Sequence, residues 1–370
     1  MNIYLFLIMC QKFPIFVIPG LGGSILFEST KNNIIWPPQI SHFINPCVKK
    51  DIDRKLKVSY NHTSRHFYLP VSTSTYPVGE TEGLKLVNGM TGYLIKNTFY
   101  NSLIQTLQKK FCQDCIHGVP YDFRLVGNQY YLEEIYQNLS HLIEKYVEKR
   151  EQKCILIAHS LGGMLVHDFL VNHCSSEWKQ TYIRKFISIN APFGGCPHAI
   201  QAISHKKMKF PYTQWDLNLD FLRYISGLLW CMPNRHLFSN QIIYQDHLYT
   251  PYSVSQLRDI LTFMDTEETY YLYHHHFDTK LKHIRVSPNV STHVIYSHGY
   301  PTIDRLQQHG SHVYCEGDGT VPLYSLEVPL RWSNTKMTKL VGEHTKILNS
   351  PELLSIISQI IQDEESFCVS

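Results

Sequence analysis

The sequence lacks the features that mark several large classes of proteins. It has no internal repeat, no low-complexity tract and no apolar run of membrane-spanning length. Its 34 basic and 31 acidic residues nearly balance, and no nucleic-acid motif is found, so nothing favours a nucleic-acid partner. With 44% hydrophobic residues among 370, the chain can bury a large core. We therefore expect one large α/β domain, with or without insertions.

Cysteine and histidine clusters give little support for a metal. The ten cysteines are scattered without a framework spacing, and Cys112 and Cys115 form a lone CxxC without a second pair. His274–His276 is likewise a single cluster. We expect neither a metal site nor an organic cofactor.

One stretch carries the strongest chemical signal. The apolar run Cys154–Ile157 predicts a buried strand, and the residues after Gly163 have helical spacing. Between them stands Ala158-His-Ser160-Leu-Gly, a G-x-S-x-G nucleophile elbow with alanine in its first position. The alternative is an ordinary strand, turn and helix with a surface serine. Because strand and helix occur where the elbow requires them, Ser160 is the candidate nucleophile.

A glycine-rich turn after an earlier strand predicts the second part of an oxyanion hole. The strand Ile15–Ile18 is followed by Pro-Gly-Leu21-Gly-Gly-Ser. α/β-Hydrolases place the second oxyanion amide in such a turn, so we expect the Leu21 N–H to act with that of Leu161. The rival interpretation, a dinucleotide loop, is weak because the glycines do not fit G-x-G-x-x-G.

Two later residues complete a candidate triad. Asp318 stands between glycines at the end of a predicted strand, and His344 lies in a loop before the final helix. An aspartate can orient a catalytic imidazole and stabilise its cation. The order Ser160, Asp318, His344 is that of α/β-hydrolases, unlike the orders of chymotrypsin and subtilisin.

The periodic segments predict a mostly parallel central sheet flanked by helices, the α/β-hydrolase fold. Residues 36–87 are polar and punctuated by prolines, without a long helical period, and we interpret them as an excursion. Residues 196–291 change from basic to aromatic-rich and are interpreted as a cap over the site. The other predicted elements are strands at Phe186–Ile189 and His293–Tyr296 and helices within 97–111, 132–147 and 351–361.

Together the motifs resemble the lecithin:cholesterol acyltransferase family, which includes lysosomal phospholipase A and phospholipid:diacylglycerol acyltransferase. The resemblance runs from Pro14 to about Leu354 and is most specific in Pro-Tyr-Asp-Phe-Arg124 and in Ala191-Pro-Phe-Gly-Gly. It implies the same triad. It also implies that residues 36–87 are a small membrane-binding subdomain, that residues 196–291 carry a mobile lid, and that Asp122 and Arg124 form a buried structural pair.

The chain also departs from the family pattern. The excursion is shortened, and Cys47, near one half of a family disulfide, lacks a partner at the matching position before it. Ser297 and Leu326 stand near the positions of the second family disulfide. Residues 1–10 are apolar like a signal peptide but lack a basic segment and a cleavage site. The compartment therefore stays open between a secretory or lysosomal lumen and the cytoplasm.

The predicted function is acyl transfer from a glycerophospholipid ester through a serine acyl-enzyme, with water or a lipid alcohol as acceptor. This prediction includes peripheral contact with a membrane surface; the sequence leaves head group, acceptor and oligomeric state open. Two alternatives remain. One is a soluble carboxylesterase acting on small esters, and the other is a catalytically dead lipid-binding protein.

Overall fold

The computed structural model describes most of the chain, namely residues 13–31, 33–37, 45–85, 100–205, 207–209, 216–218, 222–308 and 312–363. The signal-like segment 1–10, the start of the helix predicted at 97–111 and parts of both predicted insertions lie outside these residues. Within the ranges just given, none of the helices is both long and apolar enough to cross a membrane.

Six parallel strands of the described residues form the central sheet, which confirms the predicted fold class. The strands are β1 (Ile15–Ile18), β2 (Ile116–Gly118), β3 (Cys154–His159), β4 (Ile183–Ile189), β5 (Thr292–His298) and β6 (Thr335–Val341). In the sheet they follow the order β6-β5-β4-β3-β1-β2, and every neighbouring pair is parallel. Because parallel strands end at the same edge, the loops after β1, β3, β4 and β5 come together there.

Helices cover both faces of the sheet, which explains why the central strands β1 and β3 consist almost entirely of buried apolar residues. Four of these helices are α1 (Asn101–Lys110), α2 (Gln129–Arg150), α3 (Leu161–Asp168) and α4 (Pro351–Gln362). The side chains of Ile15 and Val17 point to one face and pack with α1 and α4, whereas Phe16 and Ile18 pack on the opposite face with α2 and α3.

The helix ends follow from capping residues. The Asn128 side chain accepts hydrogen bonds from the first backbone amides of α2, and the Ser350 hydroxyl accepts one from Leu353 N–H of α4. Pro351 occupies the first turn of α4, where its missing N–H costs no hydrogen bond.

The excursion contains more regular structure than its sequence suggested. Helix Pro46–Leu56 begins at the cap Asn45 and buries Ile52 and Leu56. The expectation of no long helical period there was wrong, because only one narrow side of this helix is apolar. Its other described elements are the strand Thr73–Ser74, the hairpin of Ser59–Asn61 with His66–Tyr68, and a 3-10 turn at Thr81–Leu84. The strand Thr73–Ser74 shares a sheet with Leu26–Glu28, which precedes the excursion, and with Ile34–Trp36, which ends at its first residue.

The described residues of the segment predicted as a cap form helices, 3-10 turns and four short strands. Two of these strands, Ile242–Gln245 and Pro251–Ser253, share a four-stranded sheet with Tyr300–Gln307 and Val313–Gly317, which follow the segment in the chain. The other two strands, Lys207–Lys209 and Asp216–Asn218, pair with each other. The helices are Pro197–His205, Ser226–Trp230, Arg235–Phe238, Leu257–Phe263 and Glu267–His283, and the 3-10 turns are Leu222–Tyr224 and Val254–Gln256.

The remaining short elements connect the strands and helices of the core. They are 3-10 turns at Gln113–Cys115, Val328–Arg331 and Lys346–Asn349, helices at Ser176–Tyr182 and Leu323–Leu326, and a π-helical turn at Phe169–His173.

A buried arginine joins the excursion to the core. The Arg124 side chain is fully buried, and its guanidinium donates to both carboxylate oxygens of Asp122, at 2.8 and 2.5 Å. It also donates to the carbonyls of Lys55 and Leu56 and to the hydroxyl of Thr73. The planar group thus satisfies acceptors from two separate parts of the excursion, a structural role that a simple hydrophobic contact could not fill.

Replacing Arg124 should therefore lower the stability of the fold. We expect Arg124→Met to lower the free energy of unfolding by about 3–5 kcal/mol, because it leaves a buried carboxylate and two carbonyls unpaired. The measurement is guanidinium unfolding at neutral pH. The matched control is Arg54→Met, which removes an exposed pair with Asp51 and should change stability by about 0.5 kcal/mol or less. Similar losses in both variants would contradict the structural role.

Candidate active site

The serine predicted as nucleophile lies in a strained turn between β3 and α3. Ser160 has φ 54° and ψ −127°, a conformation that a non-glycine residue adopts only when its surroundings enforce it. Its N–H donates to the carbonyl of Ile189 at the end of the neighbouring strand. A Cβ at Gly162 would lie 2.4 Å from the carbonyl oxygen of Pro19, so only glycine fits there. The turn thus brings the serine against the loop that follows β1.

The structure brings the three predicted triad residues into one hydrogen-bonded chain. His344 Nε2 lies 2.9 Å from Ser160 Oγ, and His344 Nδ1 lies 2.6 Å from Asp318 Oδ2. All three residues are buried. The aspartate fixes the proton of His344 on Nδ1, which leaves Nε2 free to accept the serine proton.

Asp318 is held by its own loop. Its second oxygen, Oδ1, accepts hydrogen bonds from the backbone N–H groups of Thr320 and Val321 at 2.9 and 2.7 Å. The strand that leads to it, Val313–Gly317, does not belong to the central sheet but pairs with Tyr300–Gln307. Its residues alternate in exposure, as expected for a strand with one solvated face.

The His344 loop is fixed through its backbone. The N–H of His344 donates to the carbonyl of Asp318, and the carbonyl of His344 accepts from His159 Nε2 at 2.9 Å and from Asn190 Nδ2 at 3.1 Å. Asn190 Nδ2 also donates to Ser297 Oγ, and the Ser297 N–H donates to Asn190 Oδ1. His159 and Asn190 were not singled out as site residues from the sequence, where the available signal was their position at the end of β3 and just after β4, respectively.

The loop predicted to supply the oxyanion hole lies beside the serine. A Cβ at Gly20 would meet Ser160 Cβ at 2.7 Å, so the backbone of this loop approaches the nucleophile closely. Leu161 is the first residue of α3, where backbone N–H groups have no partner within the helix. The predicted donors, the N–H groups of Leu21 and Leu161, therefore both border Ser160; their action on an oxyanion remains a prediction.

Aromatic side chains hold this loop. Tyr121 donates its hydroxyl proton to the carbonyl of Pro19 at 2.8 Å, and the Trp36 indole donates to the carbonyl of Gly22 at 2.8 Å. The Gly20 N–H donates to the hydroxyl of Tyr100 at 2.6 Å. These hydrogen bonds hold the backbone of the loop in place, and an oxyanion hole requires such preorganisation.

Part of the segment predicted as a cap closes over the same point. A Cβ at Gly227 would meet Leu161 Cδ2 at 2.7 Å and Leu21 Cδ1 at 3.0 Å. The N–H groups of Ser226 and Gly227 donate to the carbonyls of Arg124 and Phe123. The first turn of helix Ser226–Trp230 thus covers the side chains of both predicted oxyanion residues and gives the site an apolar wall.

Burial also sets the charge of the histidines around the site. Desolvation lowers the pKa of His159 to about 3, with a smaller contribution from His344. Burial likewise lowers the pKa of His167, on α3, to about 4. Both rings are therefore neutral near pH 7. Among the described residues, no cluster of three His, Cys, Asp or Glu side chains could hold a metal ion.

This arrangement defines the class of protein. A parallel sheet in this order, with a serine in a strained strand-to-helix turn and Asp318 and His344 on later loops, is the α/β-hydrolase fold. A chain in the crystal structure of the Tle4–Tli4 complex has a similar fold, with a TM-score of 0.59 and 11% identity over 96% of this chain and 100% of that one. At this identity the likeness concerns the fold alone.

Comparison at the sequence level shows which known proteins the chain is similar to. Residues 78–257 match the family model described as lecithin:cholesterol acyltransferase. A phosphatidylcholine-sterol acyltransferase of Gallus gallus is 27% identical over 81% of this chain and 73% of its own. A lysosomal phospholipase A and acyltransferase of Rattus norvegicus is 25% identical over 84% and 77%, and lecithin-cholesterol acyltransferase-like 1 of Arabidopsis thaliana is 27% identical over 95% and 91%. The resemblance inferred from the motifs is confirmed: the chain is similar to the lecithin:cholesterol acyltransferase family in the family model and in these relatives.

The low pKa values of the buried histidines predict acid lability. In the unfolded chain histidine titrates near a pKa of about 6.5, so the unfolded state binds more protons below that pH. Stability should therefore fall as the pH decreases from about 6.5 to about 4. The loss is measured as the urea concentration at the midpoint of unfolding at about pH 7.5, 6 and 5. The same midpoint at all three pH values would contradict the prediction.

A single variant tests whether His167 contributes to this loss of stability at low pH. His167 Nε2 lies 2.8 Å from the carbonyl of Val286, to which it donates, and the ring stacks on Trp332. His167→Gln keeps a donor but cannot be protonated. We expect it to be less stable than the wild type at about pH 7.5 and to lose less stability on acidification.

Proposed function

We propose that this protein is a serine acyl-enzyme O-acyltransferase and phospholipase that acts on glycerophospholipid esters. The observation that carries the proposal is the hydrogen-bonded chain of Ser160, His344 and Asp318 at the end of β3. The names of the relatives, which include phosphatidylcholine-sterol acyltransferase and lysosomal phospholipase A and acyltransferase, support the substrate class.

The first half-reaction forms the acyl-enzyme. His344 Nε2 takes the proton of Ser160 as the serine oxygen attacks the ester carbonyl, and Asp318 stabilises the imidazolium that results. The N–H groups of Leu21 and Leu161 stabilise the oxyanion, which contributes about 3 kcal/mol per donor. The tetrahedral intermediate then collapses: the bond to the alcohol oxygen of the lipid breaks, and His344 returns its proton to that oxygen, releasing a lysolipid.

The second half-reaction discharges the acyl group. Water or the hydroxyl of a lipid alcohol attacks the acyl carbonyl while His344 removes its proton, and the departing Ser160 oxygen receives that proton. Water gives a free fatty acid, and the alcohol gives a new ester. The covering of Leu21 and Leu161 by Gly227 supports an apolar acyl site, where burial excludes bulk water.

Peripheral membrane contact is part of this proposal, because a glycerophospholipid reaches the site from a bilayer surface. The excursion within residues 36–87 is the proposed contact region, and residues 196–291 are the proposed cap and lid. The Arg124 side chain binds the excursion, and the carbonyl of the same residue accepts from the Ser226 N–H, which supports a direct connection between this region and the site.

The activity can be tested with vesicles of acyl-labelled phosphatidylcholine, with and without a lipid alcohol in the membrane. We expect the wild type to release labelled fatty acid or to move the label onto the alcohol, and Ser160→Ala to do neither. Free fatty acid alone defines a phospholipase, and labelled ester an acyltransferase. Full turnover by purified Ser160→Ala would refute the assignment of the nucleophile.

The same assay distinguishes the two alternatives. Cleavage of small dispersed esters without any product from vesicles would favour a soluble carboxylesterase. If neither substrate reacts and a fluorophosphonate probe leaves Ser160 unlabelled, the protein is a lipid-binding relative without catalysis. Both outcomes contradict the proposed activity.

Loss of the Asp318 carboxylate should change kcat far more than KM. We expect Asp318→Asn to lower kcat by about 10³–10⁴ with little change in KM, because an amide cannot hold the correct tautomer of His344 or stabilise its cation. The control is Asp304→Asn, a half-buried carboxylate that accepts from Gln241 and makes no contact with the triad among the described residues. Equal kcat values for the two variants would contradict the role of Asp318.

A further inference from the structure

A line of hydrogen-bonded buried groups connects the loop of the predicted oxyanion hole with the loop that carries His344. The hydroxyl of Tyr100 lies 2.6 Å from Gly20 N and 2.9 Å from His159 Nδ1. The other ring nitrogen of His159, Nε2, lies 2.9 Å from the carbonyl oxygen of His344. The connection thus begins in the loop of the predicted oxyanion hole and ends on the backbone of the candidate base.

Each hydrogen bond in this line has a defined direction. A carbonyl oxygen only accepts, so His159 Nε2 carries the proton and Nδ1 accepts one. The hydroxyl of Tyr100 must therefore donate to Nδ1, which leaves its oxygen free to accept from the Gly20 N–H. Burial raises the pKa of Tyr100 and lowers that of His159, so both groups keep these protonation states across the working pH range.

The tyrosine also fixes the loop sterically. A Cβ at Gly23 would meet Tyr100 Cε2 at 2.7 Å, so the ring packs directly on the backbone of the turn. With the Gly20 N–H bound to Tyr100, this amide points away from the substrate and the following one, of Leu21, is left for an oxyanion. The direction of the Leu21 N–H thus depends on the bond between its neighbour and the tyrosine.

The neutral state of His159 also favours the proposed reaction. Its ring centroid lies 5.1 Å from that of His344, which becomes a cation in the proposed reaction. A second cation at that distance would oppose proton transfer from Ser160. By donating to Nδ1, Tyr100 stabilises the neutral form of His159.

We propose that Tyr100 and His159 are positioning residues that hold the oxyanion loop and the His344 loop at a fixed separation around Ser160. This inference rests on the proposed function and adds two residues to its site. Neither side chain is required to touch the substrate.

The central test removes one hydroxyl. Tyr100→Phe should lower kcat on a dispersed nitrophenyl ester by about tenfold per active site, less than the loss of an oxyanion donor itself, with KM changed less than about twofold. Active sites are counted by complete labelling with a fluorophosphonate. A purely structural tyrosine would reduce the labelled fraction and leave kcat per labelled site unchanged.

The matched control is Tyr136→Phe. Tyr136 is also buried, and its hydroxyl donates at 2.8 Å to Asp168, the last residue of α3, at the opposite end of this helix from Leu161. We expect this variant to keep kcat within about twofold of the wild type while losing stability. If Tyr100→Phe and Tyr136→Phe have the same kcat per site, the positioning role is overturned.

Two variants of His159 provide an independent test of the positioning role. They test it without the tyrosine variant if Tyr100→Phe does not fold. Glutamine carries a donor and an acceptor on one planar group, whereas leucine carries neither. His159→Gln should keep a higher kcat than His159→Leu, and adding Tyr100→Phe to His159→Leu should cause little further loss. If His159→Gln and His159→Leu lose the same fraction of kcat, the ring of His159 only fills space.

The same assay separates failure of this inference from failure of the proposed function. Ester cleavage by Ser160→Ala at the wild-type rate would refute the proposed function and the inference with it. If Ser160→Ala is inactive and Tyr100→Phe is fully active, the nucleophile stands and only the positioning role is refuted.

Discussion

The contact on which the site depends is a close approach of two backbones. Gly162 at the start of α3 lies against the carbonyls of Ile18 and Pro19 at the end of β1, and a Cβ there would approach them within 2.7 and 2.4 Å. This contact sets how near the serine turn comes to the oxyanion loop. Since β1 and β3 are also neighbours in the sheet, with Ile18 opposite Ala158, the register of two strands determines the geometry of the nucleophile.

The site could be predicted from sequence where chemistry and local geometry require the same residue. The small positions of the elbow and the glycine-bracketed aspartate are such cases, because each is a steric or electrostatic requirement confined to a few residues. The edge strands β2 and β6 were not predicted. Strand β6 is half exposed and carries lysines, so it lacks the continuous apolar pattern of the inner strands.

Tyr100 shows what periodicity cannot reveal. In the sequence it is the first apolar residue of a helical stripe, and its ring is indeed buried with Leu103 and Ile104. The helix itself begins at Asn101, and the hydroxyl of Tyr100 points to partners 80 residues before it and 59 after it. Helical spacing describes where the ring packs, but the partners of a buried hydroxyl are set by tertiary contacts.

The His344 loop is held by a short network of buried hydrogen bonds. The resemblance of the motifs implies that Ser297 stands near one position of a family disulfide. Here the serine exchanges two hydrogen bonds with Asn190, at 2.7 Å each, and Asn190 in turn donates to the carbonyl of His344. Asn190 itself has φ 48°, a conformation that asparagine tolerates better than most residues. Because these bonds need no oxidising compartment, the position of the histidine does not depend on a disulfide at Ser297.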